Sequence, residues 1–322
     1  MISDGGSLLN RWEAENADSL GLALKEAGFE ISQRCCSRPS CFDFAARKGD
    51  GTVLVKLHSD IDTFSQSDSR ELRVIAGRVS AAALVISGKT HLKPLEDDTV
   101  YSRYSVYVVT GRTFKSIACR TGYPLVNAGP GGYFVEVDGA LIEKRRKALC
   151  LSIGTLAEMV GVSRRTLYGY ERCMAKASVS SAYNLEKVLG VPVAKPIDVL
   201  EKARKQRVCL LLKAKRVIAG RALLQRVFRK FALCDISPVR KAPFDFVMNV
   251  PDEECVIIGA VAVEGETYLD ERTEEILSVS RVVNAHPVLI TEKREPCRRD
   301  VLCVCADELA VMRSPMDLVA SI

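Results

Sequence analysis

The chain has 322 residues, of which 48% are hydrophobic and 27% are charged, and its formal net charge is +6 at pH 7. This length predicts two or three domains with separate cores, and this composition is typical of a soluble globular protein. No apolar run reaches the roughly 18 residues of a membrane-spanning helix, and no secretory leader is visible, so we expect a cytoplasmic protein without a membrane partner.

Residues 1–130 alternate short apolar strands with amphipathic helices. Strands are predicted at Val53–Val55, Ala83–Ile86 and Val106–Val109, with a helix over 69–81 between the first two. Strands separated by helices are typical of an α/β layer with a parallel or mixed sheet. The sequence therefore predicts an N-terminal α/β domain over 1–130.

Residues 131–200 are predicted to form a strand and then a small all-helical domain. The strand Tyr133–Val137 ends at the turn signal Asp138-Gly139. The predicted helices lie near 140–149, from Ser152, from Ser163 to 172, and near 181–189. Serine is a preferred N-cap residue. Two short helices separated by the turn Gly161-Val162-Ser163 are typical of a helix-turn-helix, whose second helix enters the major groove of DNA.

Residues 201–230 are predicted as a basic helical connector, and residues 231–322 as a second α/β domain related to the first. Two landmarks recur with the same spacing of thirteen residues: Phe29 with Phe42-Asp43-Phe44, and Phe231 with Phe244-Asp245-Phe246. Further on, the segment 69–81 aligns without a gap with 273–285. We interpret the C-terminal domain as a diverged repeat of the N-terminal one.

Positive charge is concentrated in the middle of the chain. From Gly139 to Gly190 nine basic residues stand against four acidic ones, and from Lys195 to Leu233 twelve stand against two. The rest of the chain is therefore net acidic. A concentrated basic region is typical of nucleic-acid-binding proteins, so we expect double-stranded DNA as the partner.

The twelve cysteines and three histidines show no metal-binding pattern. No Cys-x-x-Cys pair occurs, and the densest groups are Cys35-Cys36 with Cys41, and Cys303 with Cys305. A zinc site typically needs paired ligands, so we predict free thiols and no metal. Glycine-rich nucleotide-binding motifs are also missing from the sequence, and it indicates no cofactor.

Residues 141–200 resemble the Cro/CI-type helix-turn-helix family. The resemblance rests on Leu156-Ala157, Gly161-Val162-Ser163, Thr166-Leu167 and Tyr170-Glu171. With its α/β flanks, the whole chain resembles archaeal HTH-type transcriptional regulators. The resemblance implies a five-helix DNA-binding domain that acts as a homodimer. The expected fold is α+β and multidomain, with a central all-α domain between two related, degenerate restriction-endonuclease-like α/β domains.

The resemblance also places functional residues on this sequence. Residues at the family's base-reading positions are Arg164, Arg165 and Gly169, and since Gly169 has no side chain we expect its neighbour Tyr168 to contribute to base reading. Arginine offers two donors to guanine O6 and N7, so this pair suits a site that contains guanine. Expected phosphate contacts are Ser163, Thr166, Arg172, Lys144, Arg145, Arg146 and Lys147. Glu171 falls where the family pairs an acid with an arginine, here Arg146. The chain departs from the family at Ile153, where a phosphate-binding glutamine is common.

The α/β flanks also resemble the restriction-endonuclease fold, in which an aspartate and a Glu/Asp-x-Lys motif bind a metal. The first copy has Asp43 and Lys56, but Leu54 replaces the second carboxylate. The second copy has Asp245 with Ile258 and Ala260. Since a divalent metal needs more than one carboxylate to hold it near a phosphate, we predict no catalytic residue and no enzyme activity.

The sequence is compatible with three functions. The favoured one is a sequence-specific transcription regulator that reads the major groove with the helix 163–172. The alternatives are a structure-specific nuclease or DNA-processing protein targeted by the helix-turn-helix, and an architectural protein that binds DNA through its basic stretch. The flanking domains are then modules for dimerisation or for sensing an unknown effector, with Lys56 as a candidate contact for an anion.

Overall fold

The computed structural model describes residues 5–91, 93–206, 218, 220–232, 234–250, 255–262, 266, 268–292, 301–312 and 314–318. These residues form two α/β domains and one helical domain. No helix in the described ranges is long and apolar enough to cross a membrane. Residues 207–217, in the middle of the predicted basic connector, lie outside the described part.

The N-terminal domain is a mixed sheet covered by helices. Its elements are α1 (Gly5–Glu26), β1 (Glu30–Ile31), β2 (Phe44–Lys48), β3 (Gly51–Leu57), α2 (Gln66–Arg78), β4 (Ala82–Ile86), β5 (Lys89–Thr90), β6 (Lys93–Pro94), β7 (Thr99–Arg103), β8 (Val106–Val109) and α3 (Gly111–Ala118). β1, β2 and β3 pair antiparallel, whereas β3, β4 and β8 run parallel. Every residue of β4 is buried, as expected for a strand covered on both faces. The predicted α/β layer is confirmed.

The helical domain comprises α4 (Gly139–Ala148), α5 (Ile153–Val160), α6 (Arg164–Glu171) and α7 (Val179–Leu189). Its core contains Ile142, Leu156, Leu167 and Leu185, all fully buried. The resemblance implied five helices, whereas 139–189 contain four. The next helix, α8 (Val199–Lys205), packs against β4 and β8 of the N-terminal sheet instead.

The N-terminal sheet continues into the helical domain. β7 pairs in parallel with β9 (Val126–Gly129), which pairs with β10 (Gly132–Val135), which pairs with β11 (Ala177–Ser178). The result is one nine-stranded sheet. On the far side of the helical domain, Ile197 and Val199 return to the N-terminal core and are fully buried. The helical domain is therefore inserted into the N-terminal domain, and α8, at the start of the predicted connector, packs with the N-terminal core.

The C-terminal domain repeats the sheet of the N-terminal one. Its elements are α9 (Ala222–Lys230), β12 (Asp235–Pro238), β13 (Phe246–Val250), β14 (Cys255–Val261), α10 (Leu269–Val283), β15 (His286–Thr291), β16 (Leu302–Cys305) and α11 (Ala306–Val311). The strand order is β12-β13-β14-β15-β16, with the first two pairings antiparallel and the last two parallel. This order and these directions match β1-β2-β3-β4-β8. The helix α9, at the end of the predicted connector, packs into the C-terminal core through Leu224 and Val227.

The two α/β domains share one hydrophobic core. Helix α2 of the first packs on β13 of the second, and helix α10 of the second packs on β2 of the first. These contacts are reciprocal, as in the isologous interface of a twofold dimer. Here both halves of that interface lie in a single chain.

Two glutamates repeat the same reciprocity at the edge of the shared core. Glu275 Oε1 accepts hydrogen bonds from the backbone amides of Cys36 and Ser37, at 2.6 and 2.8 Å. Glu71 Oε2 accepts them from the amides of Arg240 and Lys241, at 3.0 and 2.8 Å. Each helix therefore holds a loop of the opposite domain through an equivalent carboxylate.

The cysteines follow the prediction of free thiols with one exception. Nine of the described cysteines are free, whereas Cys303 is disulfide-bonded. The prediction of free thiols throughout is wrong for that residue.

Candidate nucleic-acid interface

Side-chain caps and a left-handed glycine define the helix-turn-helix. Ser152 Oγ accepts a hydrogen bond from the amide of Thr155, and Ser163 Oγ accepts one from the amide of Thr166, both at 3.0 Å. Gly161 ends α5 at φ 80°, a conformation that glycine adopts without a steric penalty. The two caps predicted from the sequence are confirmed. They fix where α6 begins, and so which of its residues face outward.

Helix α6 is divided into a buried and an exposed face. Leu167, Tyr170 and Glu171 point into the domain and are buried. Arg164 and Arg165 are exposed at the start of the helix, and the Tyr168 side chain is 49% exposed one turn later. The predicted base-reading residues thus lie together on the open side of the helix, with Gly169 half-buried beside them.

Arg146 and Glu171 form a buried ion pair between α4 and α6. Arg146 Nε donates to Glu171 Oε1 at 2.6 Å, and Arg146 Nη2 donates to Oε2 at 3.2 Å. A third donor, Nη1, reaches the carbonyl of Leu151 at 2.9 Å. The hydrogen bond to Glu171 raises the pKa of Arg146, against the opposing effect of burial. Arg146 is only 8% exposed, so the predicted phosphate contact does not fit this geometry, because its donors point inward.

The other residues predicted to contact phosphate differ in whether their side chains already have partners within the protein. Lys144 is exposed, and Lys147 is exposed but pairs with Glu143 at 2.7 Å. Arg145 Nε donates to the carbonyl of Leu189 at 2.9 Å, which ties this side chain to the end of α7. Arg172 is exposed and lies 5.6 Å from the ring of Tyr168, in cation–π geometry.

Ser163 and Thr166 combine capping with exposure. Their hydroxyls lie 2.8 Å apart, and Ser163 is exposed at the helix start. Each hydroxyl keeps further hydrogen-bonding capacity beyond the cap. Both residues therefore stand where backbone and side-chain donors converge at the N-terminus of α6, a favourable place for an anion.

Sequence reasoning missed the role of Gly139. A Cβ at this position would lie 2.3 Å from the carbonyl oxygen of Glu171 and 2.5 Å from that of Tyr170. The first turn of α4 therefore packs directly against the last carbonyls of α6, and only glycine fits. The pattern Asp138-Gly139 signalled a turn, and Asp138 does cap α4 by accepting from the amide of Leu141 at 3.1 Å. Nothing local signalled the close approach.

The first α/β domain keeps two of the predicted endonuclease-like residues. Asp43 Oδ2 accepts from the amide of Leu57 at 2.6 Å, and Asp43 Oδ1 lies 3.3 Å from Lys56 Nζ. Arg34 approaches the same oxygen at 3.9 Å. Leu54, where a second carboxylate would stand, is fully buried in the core. One carboxylate facing two cations does not fit a divalent metal.

In the second domain, three arginines surround Asp245, the residue equivalent to Asp43. Asp245 is fully buried, and its oxygens lie 2.6 Å from Arg221, 2.6 Å from Arg272 and 3.0 Å from Arg38. Burial alone would raise the pKa of Asp245, but Arg272, then Arg221, the amide of Val261 and Arg38 hold it below the ordinary value. This buried ion cluster is structural. One of its arginines, Arg38, comes from the N-terminal domain.

Asp60 and Asp62 lie beside His91 in a loop. Their ligand atoms fall within 4.8 Å of one another. Asp60 Oδ1 accepts from the amides of Asp62 and His91 at 3.0 and 3.1 Å, and Arg103 lies 3.6 Å from Asp62. These carboxylates are therefore engaged by backbone amides and by Arg103 within the loop.

Two family profiles match the chain. Residues 142–195 match the helix-turn-helix family, and residues 14–124 match the PD-(D/E)XK superfamily domain. The chain therefore carries an N-terminal domain of the PD-(D/E)XK superfamily followed by a helix-turn-helix domain. No solved structure matches it.

Archaeal relatives cover most of the chain. A protein of Methanosarcina mazei is 34% identical over 280 residues, 84% of this chain and 84% of its own length. A protein of Methanocaldococcus jannaschii is 31% identical over 288 residues, 88% of each chain. One of Archaeoglobus fulgidus is 28% identical over 306 residues, 94% of this chain and 95% of its own. All three are named as HTH-type transcriptional regulatory proteins, and the chain belongs to this archaeal family.

Proposed function

We propose that the chain is a sequence-specific DNA-binding transcription regulator that reads the major groove with the helix 163–172. The observation that carries the proposal is the open face of α6, where Arg164 and Arg165 stand exposed at the N-terminal end. The buried face of the same helix is anchored by Leu167 and Tyr170. An α-helix fits the major groove, and its first residues meet the base edges.

Each arginine offers a bidentate pair of donors to guanine. Tyr168 adds an apolar and polar surface one turn later, and Gly169 lets the helix backbone approach the groove. Base contacts of this kind contribute about 1–3 kcal/mol each to discrimination between sequences. We propose a target site in which guanine lies opposite Arg164 and Arg165.

We propose that exposed side chains on and around α6 contact the phosphates of the DNA backbone. Lys144, Lys147 and Arg172 are exposed, and Ser163 with Thr166 lies at the helix N-terminus. Arg145 is partly held by the carbonyl of Leu189, and its role is the least direct. Because these contacts neutralise phosphates, binding weakens steeply as salt rises.

The experiment that tests this function selects bound sequences from a random pool of duplex DNA with the full chain. A defined motif that outcompetes bulk DNA by about 10³-fold or more supports a regulator. The variant Arg164→Ala/Arg165→Ala should lose the motif preference while keeping non-specific affinity. Binding without preference would instead favour an architectural protein. A palindrome with half-sites about 10 base pairs apart supports the proposed homodimer.

We also propose that the chain is not an enzyme. The match to the PD-(D/E)XK superfamily favours a nuclease as the second candidate, but Asp43 faces Lys56 and Arg34, and Leu54 takes the place of a carboxylate. The test incubates the chain with Mg²⁺ or Mn²⁺ and duplex, branched and single-stranded DNA. Cleavage that disappears in Asp43→Ala would overturn the proposal.

A further inference from the structure

A cavity of about 320 Å³ lies where the N-terminal α/β domain meets the chain that leaves the helical domain. Its volume is at the lower end of the range of about 300–1,000 Å³ for small-molecule sites. Its walls include Phe29, Lys48, Ile117, Arg120, Leu200 and Arg204. They come from the end of α1, the β2–β3 hairpin, the end of α3 and helix α8.

Two arginines of this cavity are available to a ligand. Arg120 and Arg204 are both exposed, and neither forms an ion pair within the part of the chain that the structure describes. Lys48 is engaged within the protein, because its Nζ donates to the carbonyl of Ala27 at 2.6 Å and lies 5.5 Å from the centroid of the Phe29 ring. Two carboxylates also line the cavity: Asp50, which is exposed, and Asp198, which accepts from the amide of Glu201 at 2.8 Å. The arginine fork matches a carboxylate or a phosphate in two parallel hydrogen bonds.

The remaining walls are apolar and partly aromatic. Ile117 is buried, Phe29 and Leu200 are half-buried, and all three pack with the N-terminal core. The ring of Tyr123 is 39% exposed at the same cavity. An apolar wall with a few convergent charges is the typical composition of a small-molecule site, and the flat side chains favour a ligand with a planar ring.

We propose that this cavity binds a small organic anion that carries a planar ring, with the anionic group held by Arg120 and Arg204. The ring lies between the Phe29 side and the Tyr123 side of the cavity. The chemistry is shared by aromatic carboxylates and by mononucleotides, and the test separates the two.

The position of the cavity connects it to the helical domain. Helix α8 follows Ile197, whose amide donates to the carbonyl of Pro124 at 2.8 Å. Lys202 of α8 donates to Glu136 at 2.7 Å, and Glu136 lies between β10 and the start of α4. A ligand that bridges Arg120 and Arg204 therefore holds α8 against the sheet domain, and the Lys202–Glu136 contact connects α8 to the base of the helix-turn-helix. A change in DNA affinity follows from this step, which rests on the proposed DNA-binding function.

Titration calorimetry with the full chain tests the site directly, without DNA. The probes are 5′-AMP and benzoate, with adenosine and inorganic phosphate as the ring alone and the anion alone. We expect 5′-AMP or benzoate to bind, and the one that binds should do so at least tenfold more tightly than adenosine and than inorganic phosphate. Arg120→Gln/Arg204→Gln should weaken that binding at least tenfold, and Arg112→Gln, in helix α3 just before Arg120 but outside the cavity, should not.

Three results would overturn the site: no heat from either ring-bearing anion, equal affinity for the fragments, or undiminished binding by the double variant. Should the double variant fold poorly, the wild type still decides. The methyl resonances of Ile117 and Leu200 must shift on addition of the binding probe, and unchanged resonances refute the site.

The coupling to DNA is tested separately by repeating the DNA titration with the saturating probe. A change of at least threefold in specific affinity in the wild type, and none in the double variant, supports coupling. Probe binding with no change in DNA affinity refutes coupling and keeps the site. Absence of specific DNA binding altogether refutes the proposed function, while the calorimetry still decides the cavity.

Discussion

The rings of Phe42 and Phe244 lie 6.2 Å apart, centroid to centroid, where the two α/β domains meet. Both rings are fully buried in the shared core. Each phenylalanine precedes the aspartate that stands at the start of the second strand of its own domain. The two domains therefore depend on one another for burial of an equivalent residue.

Removing either ring should destabilise both domains at once. We expect Phe42→Ala and Phe244→Ala each to lower the free energy of unfolding by about 3–5 kcal/mol, with a double variant that costs less than the sum. Guanidinium unfolding can be followed by circular dichroism for the whole chain and by fluorescence of the single tryptophan, Trp12, for the N-terminal domain. Coincident transitions are expected, and two separate transitions would show that the domains unfold independently.

Gly139→Ala should destabilise the helical domain. The added methyl would meet the carbonyl oxygen of Glu171 at 2.3 Å, so α4 must move away from α6, at a cost of about 2–3 kcal/mol. DNA affinity should fall with it, since α6 loses its support. The matched control is Gly122→Ala, where the methyl meets nothing within 4 Å. Equal melting temperatures for the two variants would contradict this packing.

Removing one partner of the Arg146–Glu171 pair should lower the free energy of unfolding more than replacing both partners with apolar residues. Glu171→Ala leaves a buried guanidinium without its carboxylate, and we expect a loss of about 3–5 kcal/mol in the free energy of unfolding. Arg146→Met/Glu171→Leu removes both charges and should recover most of that loss. The measurement is denaturant unfolding of the single and double variants. A double variant that is no more stable than the single one would argue against a paired role.

Lys144→Ala should lower the slope of log affinity against log salt by about one, as expected for loss of one phosphate contact. Sequence preference should stay unchanged, because no base contact is removed. Arg112→Ala is the control, since this residue is exposed on α3. An unchanged slope would remove Lys144 from the backbone contacts.

Stability should fall in acid as Asp245 takes up a proton. Its pKa in the folded state lies below the ordinary value, whereas the unfolded chain has a value of about 3.9. The ion cluster therefore contributes stability that is fully present above about pH 4 and is lost as the pH falls through the folded-state pKa. Urea unfolding from pH 2 to 6 checks this. Asp50→Asn, in an exposed turn, should keep the dependence, and Asp245→Asn should flatten it.

Local features were predictable from the sequence. The serine caps at 152 and 163 and the glycine at 161 act within three or four residues of themselves, so α5 and α6 could be placed before the structure. Apolar runs also predicted β3, β4 and β8 of the N-terminal sheet. The recurrence of Phe42-Asp43-Phe44 as Phe244-Asp245-Phe246 correctly indicated two sheets of the same order.

Long-range packing was not predictable in the same way. Nothing in the composition of β7 or β9 signals their parallel pairing, and so the insertion of the helical domain was missed. Gly139 was understood as a turn residue because its constraint comes from carbonyls more than thirty residues away. Arg146 was given two roles because a sequence does not tell which way a guanidinium points. The cavity at Arg120 and Arg204 also joins residues far apart in the chain.

The reciprocal contact between the two α/β domains has a consequence for assembly. In a homodimer, a surface of this kind joins two copies and brings two reading helices with it. Here the surface is closed within one chain that carries a single helix-turn-helix. In the proposed homodimer a second copy would therefore have to attach through a different face, and that face, not the α/β pair, would set the spacing between the two α6 helices on DNA.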